Sequence, residues 1–322
     1  MNSTERVKKV INGGIADRTP IYGWVSANLS NELNAAFGSV SAFEDKYCFD
    51  AAHIFGGPNP FSSPEMQKTI ESKIELTPDI MLDIQLSSPD NEADYNGIKN
   101  ELKHHKERGR FCYMQTPGFF EEYNGAFGIE NHLCYLAAYT DEISEIYKRQ
   151  AEWNIKFANN CLDLGIDLIH ISDDWGAQNS MMFSPEMWRA LIKPNMKRVI
   201  NSVKKRGELV GLHSDGNVAA VIDDLIELGF DWVHPWQESA GMDYGVYLEK
   251  CSDKFAILGG VCIQTTLGFN NYELLENEIR RVFKTLKNKR WICCTTHYVQ
   301  NHCTIDELVF AYDLIYKLAR EQ

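Results

Sequence analysis

Eight short, β-rich apolar runs recur along this chain with helical spacing between them, and that alternation most restricts its fold. The runs are 19–25 (TPIYGWV), 50–55 (DAAHIF), 111–116 (FCYMQT), 167–172 (DLIHIS), 209–214 (LVGLHS), 231–236 (DWVHPW), 256–261 (AILGGV) and 291–296 (WICCTT). They are nearly continuous apolar stretches, as expected of strands buried on both faces of a parallel sheet. The intervening segments carry helix signals. Ser184-Pro185-Glu186 offers a cap and an N-terminal proline, and Gly207 a stop, while Pro194 should kink or divide that helix. Asn217 and Gly229 bracket another helix in the same way. Parallel strands need crossover connections, so the pattern predicts one α/β domain over residues 1–322, a (β/α)8 TIM barrel. A doubly wound open sheet is the rival, but no G-x-G-x-x-G turn follows any strand. Residues 67–109 hold more chain than one crossover needs, which predicts an insertion after the second strand, either a lid or an inert excursion.

Charge and cysteine usage narrow the function classes. With 32 basic and 45 acidic residues the formal charge is −13, the wrong sign for binding a nucleic-acid backbone or an anionic membrane surface. Nine cysteines without any C-x-x-C pair do not make a disulfide framework. The N-terminus has no signal-like apolar core, and no window approaches the roughly 18 apolar residues of a membrane span. The expectation is a reduced, cytoplasmic protein with a small-molecule ligand or a protein partner. A homodimer is compatible with this reading.

Barrels of this kind carry their chemistry at the C-terminal ends of the strands. The polar and aromatic residues expected there include Trp24 and Asn28 after the first run, Asp173, Asp174, Trp175 and Gln178 after the fourth, and His213 and Asp215 after the fifth. Trp236 and Gln237 follow the sixth run, and His297 and Tyr298 the eighth. His213 and Asp215 are two apart and face one side of a strand. With His297 they form a candidate nitrogen–oxygen site for Zn²⁺ with a position open to substrate. The competing reading has His213 bonded to a carbonyl and Asp215 capping the next helix. Asp173 and Asp174 are adjacent and point apart. One should reach the mouth as an acid or base, and the other should hold the loop before Ser184. Trp24, Trp175, Trp236 and Tyr298 are candidates for an apolar wall around a ligand, or for ordinary packing. Cys293 and Cys294 read as core.

The segments ISDDWGAQNSMMFSPEMWRALIKPNMKRVI, GLHSDGNVAAVIDDLIELGFDWVHPWQ and THYVQNHCTIDEL resemble the uroporphyrinogen decarboxylase superfamily, in particular its methyltransferase-like branch. VKKVINGGIADRTPIYGWV and FDAAHIF resemble it more loosely. The resemblance implies the same barrel. The decarboxylases hold substrate carboxylates on an arginine-rich N-terminal loop and use an aspartate after the second strand. Here those places read Trp24-Val25-Ser26-Ala27-Asn28 and Gly56-Gly57-Pro58, so the resemblance to that branch is weaker. The methyltransferase branch moves a methyl group between a small substrate and a corrinoid carried on a separate protein, with Zn²⁺ on a His-x-Cys pair and a later Cys. The matching positions are His213, Asp215 and His297, so both thiolates are replaced and a harder, more Lewis-acidic site results.

The resemblance therefore implies a methyltransferase or demethylase component with zinc and a corrinoid-protein partner. In it, His213 and His297 are ligands, Asp215 a ligand, orienter or acid, and Asp174 an acid or base. Asp173, Asn28, Gln178 and Gln237 help to place the methyl donor or acceptor. The alternatives are a decarboxylase-like carboxy-lyase and a non-catalytic small-molecule binder.

Overall fold

The computed structural model describes residues 1–72 and 74–321. Seven parallel strands form one curled sheet in sequential order: β1 (Ala51–Ile54), β2 (Phe111–Thr116), β3 (Leu168–Ser172), β4 (Leu209–His213), β5 (Trp232–His234), β6 (Ala256–Val261) and β7 (Trp291–Thr295). Helices flank the sheet in a single α/β domain. The architecture is barrel-like but not closed, which corrects the expected eight-stranded barrel.

The missing strand is the first predicted run. Residues 19–25 lie between β7 and β1 without forming a ladder on either. Tyr22 N–H donates to the Cys293 carbonyl and Cys293 N–H to that of Pro20, giving one isolated bridge at Ile21. On the other side, Asp50 N–H donates to the Ile21 carbonyl, while Ile21 N–H turns to the Asp50 carboxylate at 2.8 Å. Pro20 has no N–H to offer a ladder. At Gly23, a Cβ would lie 1.7 Å from the Tyr312 hydroxyl oxygen. The segment is instead pinned by charge, because the fully buried Asp50 accepts from Arg6 at 2.7 Å and from Arg18 at 2.6 and 2.9 Å.

Several local signals act as the sequence suggests. Ser184 Oγ accepts from Met187 N–H at 3.1 Å, and the chain divides at Ile192 into helices Pro185–Leu191 and Lys193–Lys204 around Pro194. Asn217 caps only a short turn through Ala219 N–H, and the helix proper begins later, at Ile222–Leu228, before Gly229 (φ +78°) ends it. The extra residues after β1 form helices Pro64–Glu71 and Pro78–Asp83 and a short 3-10 turn. Helix Asn96–Lys106 then serves as the crossover. Hydrogen bonds tie this excursion to the long helix Thr140–Asp163: Arg149 to the Leu82 carbonyl at 2.7 Å, Trp153 to that of Ser87 at 2.7 Å, and Asn160 to that of Pro89 at 3.0 Å. A cleft of about 950 Å³ runs along that flank between residues 82–89 and Glu145, Arg149 and Lys156, away from the strand ends. Among the described residues, no helix is long and apolar enough to cross a membrane.

Candidate active site

Inward-facing side chains of β1 to β5 fill the sheet's concave interior with imidazoles and aromatic rings. His53, Tyr113, His170, His213, Trp232 and His234 lie in one contact network, with the Trp24 ring 4.4 Å from that of His234 and 5.3 Å from that of His213. Burial pushes His53, His170 and His234 well below the ordinary histidine range, and His213 down to about 4. All four are neutral near pH 7.

Neutrality lets the hydrogen bonds fix the tautomers. His234 Nε2 lies 3.1 Å from the Thr295 carbonyl oxygen, which can only accept, so His234 carries its proton there. Its Nδ1 is then an acceptor, and His213 Nδ1 must donate to it across 2.8 Å. His213 Nε2 is left as a bare lone pair. It faces Asp174 Oδ1 at 3.6 Å and Asp215 Oδ1 at 4.0 Å, while His297 Nε2 approaches Asp215 Oδ2 at 3.6 Å. The His213 and His297 ring centroids are 6.3 Å apart. A lone pair aimed at two carboxylates is repulsive unless a proton or a metal ion lies between them.

A tight loop crossing sets this geometry. Asp174 Oδ1 accepts from Asp215 N–H at 2.8 Å, joining the ends of β3 and β4. A Cβ on Gly176 would fall 2.3 Å from the Asp215 carbonyl oxygen, and one on Gly216 (φ +76°) 2.5 Å from the Gly176 carbonyl carbon, so only glycines permit the approach. Gln237 Oε1 accepts from Gly216 N–H at 2.6 Å and Gln178 donates to the Ser239 carbonyl. In this arrangement both glutamines hold loops. Asn28 likewise donates to the Val299 carbonyl at 2.9 Å. The helix-capping alternative for Asp215 is filled by Asn217 instead, and Asp215 Oδ1 is buried with no hydrogen-bond partner.

Four carboxyl groups gather at this mouth. Asp173 is fully buried and accepts from Glu121 N–H at 2.8 Å, so it holds the helix Phe120–Phe127 rather than the loop before Ser184. That contact brings in Glu121, which accepts from Ser172 Oγ at 2.8 Å. Burial, reinforced by Asp174, pushes both Glu121 and Asp215 up to about 8, and burial pushes Asp173 up to about 7. Among the described residues, the ion-pair contacts of this group are with histidines alone. Of the expected apolar wall, Trp24 and Tyr298 meet here, with ring centroids 4.7 Å apart. Trp175 packs on Trp188, and Trp236 on Tyr247 and Phe255. Cys293 and Cys294 are core.

Sequence reasoning gave four of these residues no role: His53, His170, His234 and Glu121. Strand alternation could have found two, His170 and His234, since His170, Ser172 and Asp174 share a parity, as do Trp232 and His234. Glu121 carried no such signal.

The second, larger part of the chain answers to a known family. Residues 122–317 match the profile of the family described as uroporphyrinogen decarboxylase (URO-D). The chain belongs to the uroporphyrinogen decarboxylase family. This family member matches no curated protein. Its fold is similar to that of a methyltransferase from Methanosarcina mazei, at a TM-score of 0.68 and 13% identity over 98% of this chain and 99% of the other. A B12-independent methionine synthase from Shewanella sp. W3-18-1 is less similar, with a TM-score of 0.47 and 13% identity over 70% of this chain and 65% of that one.

Proposed function

We propose that this family member is the methyl-transfer component of a system in which a separate protein carries a corrinoid, with zinc held at His213, Asp215 and His297 beside Asp174. The observation that carries this reading is the bare Nε2 of His213, fixed by the Thr295–His234 relay and aimed at two carboxylates. The orphaned Asp215 Oδ1 suits the same ion. Tetrahedral bonds of about 2.0–2.2 Å put neighbouring donors about 3.4 Å apart; one donor atom each of Asp174, His213 and Asp215 lie within 4.8 Å of one another, and His297 Nε2 approaches the other oxygen of Asp215 at 3.6 Å. Bound there, the ion supplies a Lewis acid for the atom from which the methyl departs.

The chain's own groups do the rest. His234 holds the His213 tautomer, Asp174 fixes the backbone of Asp215, and the Trp24 and Tyr298 rings exclude water from one side. Without the ion, the Asp215 carboxyl carries a proton near neutrality and is placed to deliver it to the leaving group. A carboxylated tetrapyrrole is disfavoured. It would meet Glu121, Asp173, Asp174 and Asp215, with neither a lysine nor an arginine paired to them among the described residues.

The test supplies the chain with cob(I)alamin and, in turn, methyl ethers and N-methylated amines, following loss of the cob(I)alamin absorbance. Donor-dependent loss that disappears in His213→Ala supports the reading. Turnover of a carboxylated porphyrinogen, with no response to any methyl donor, would contradict it.

A further inference from the structure

A file of aromatic rings leads from solvent to the carboxylate–histidine cluster. Phe55, at the end of β1, is 49% exposed, and its ring lies 6.5 Å from that of Tyr298. Tyr298 in turn lies 4.9 Å from the His297 ring and 4.7 Å from that of the buried Trp24. Asp174, Asp215 and His297 are partly exposed, so the cluster is open to a molecule lying along these rings. Phe55 also walls a cavity of about 280 Å³ at the ends of β1 and β2, whose lining includes Gln115 and, as its one ionisable group among the described residues, Glu122.

The charge of what can lie there follows from the surroundings. A divalent ion beside Asp174 and Asp215 is matched by their two charges. Asp173 is fully buried against the Glu121 amide, and burial keeps Glu121 itself protonated near neutrality. Among the described residues, no lysine or arginine pairs with these carboxyls or lines the cavity. A charged group on the ligand, of either sign, finds no partner here, and desolvating one without a partner is costly.

The atom that meets the ion follows from the donor set. Imidazole nitrogen and carboxylate oxygen make a hard site, which favours oxygen over sulfur. An amine of ordinary basicity arrives protonated and has no lone pair to offer. An ether oxygen keeps its lone pairs near neutrality. An aryl ether, moreover, releases a phenolate, whose conjugate acid has a pKa of about 10, a far better leaving group than an alkoxide.

We propose that the methyl donor is an uncharged aryl methyl ether, with its oxygen at the His213–Asp215–His297 cluster and its ring against Tyr298 and Phe55. This names the substrate class of the site and rests on the methyl-transfer reading. The methyl C–O bond breaks with both electrons left on oxygen. The phenolate takes a proton from water on release, and the methyl is taken up by the electron pair of the cob(I)alamin co-reactant.

The experiment is calorimetric titration of the full chain, with one equivalent of zinc, against three near-isosteric probes at pH 7: 4-methoxybenzyl alcohol, 4-methoxybenzoate and 4-methoxybenzylamine. The alcohol should bind at least about tenfold more tightly than the anion or the cation. Phe55→Leu, at an exposed position where misfolding is not expected, and Tyr298→Leu should each weaken the alcohol by about two- to tenfold while zinc stoichiometry stays at one. The saturated analogue (4-methoxycyclohexyl)methanol should bind wild type more weakly than the aromatic alcohol. No binding of the alcohol, a charged probe that binds as tightly, or an alcohol affinity unchanged in both variants would overturn the inference. Binding needs no corrinoid. Selective binding of the uncharged aryl ether without any methyl transfer would therefore leave the ligand class standing and sink the activity, whereas transfer from aliphatic ethers or amines alone would do the reverse.

Discussion

His213 Nδ1 and His234 Nδ1 face each other at 2.8 Å, and only one of them can carry the proton. Because His234 already donates its Nε2–H to Thr295, the proton sits on His213, and His213 offers its other nitrogen to the acidic mouth. His234 is thus a positioning residue for a putting-forward of the His213 lone pair, although it touches neither carboxylate.

That relay predicts a particular response to His234→Gln. Outer partners of ligating histidines typically account for about 10- to 100-fold in metal affinity. Zinc affinity measured by chelator competition should fall within that range, while His213→Ala should abolish binding at the site. Unchanged affinity in His234→Gln would show that the tautomer is held in some other way.

Glu121 predicts a pH dependence of stability. Its folded carboxyl is pushed up to about 8, above its unfolded value, so the folded state binds the extra proton. The resulting stabilisation is full below the unfolded value near 4.5 and is lost as pH rises through about 8. In metal-free protein, Glu121→Gln should therefore gain stability relative to wild type between pH 5 and 8. Urea midpoints at several pH values check this, and parallel curves would contradict it.

The crossing of Gly176 and Gly216 predicts a localised cost. Gly216→Ala adds a side chain at φ +76° against the Gly176 backbone. It should destabilise the chain by about 1–3 kcal/mol and weaken zinc binding, because the same loops carry Asp174 and Asp215. Thermal unfolding and the chelator competition together would reveal it.

Asp50 predicts the opposite division. Removing it leaves Arg6 and Arg18 buried beside an unpinned N-terminal segment. Asp50→Ala should cost about 3–5 kcal/mol, with zinc affinity of the folded fraction unchanged. Loss of zinc binding without loss of stability would contradict this assignment.

These contrasts also explain what the sequence made legible. Seven of the eight apolar runs lie at ladder strands, because continuous β-branched and aromatic stretches specify strands locally. Residues 19–25 have the composition of a strand but lack the Pro20 amide, and Asp50 diverts the Ile21 amide. The juxtaposition of His213, Asp215 and His297 follows from strand ends and alternation. The relay does not, because it depends on β4 and β5 being neighbours at the register His213↔His234. Trp236 read as a mouth residue, but its positive φ of 55° lies at a sharp turn, and its ring packs on Tyr247 and Phe255. Glu121 reaches the site only because Asp173 holds its backbone from another strand.

The most direct test of the account is zinc titration of metal-free protein with stoichiometry read by elemental analysis, for wild type, His213→Ala and His297→Ala. One equivalent in wild type, lost in His213→Ala and lost or severely weakened in His297→Ala, is the predicted result. No bound zinc in wild type, or one equivalent that persists in His213→Ala, would contradict the claim that this lone pair exists to hold a cation.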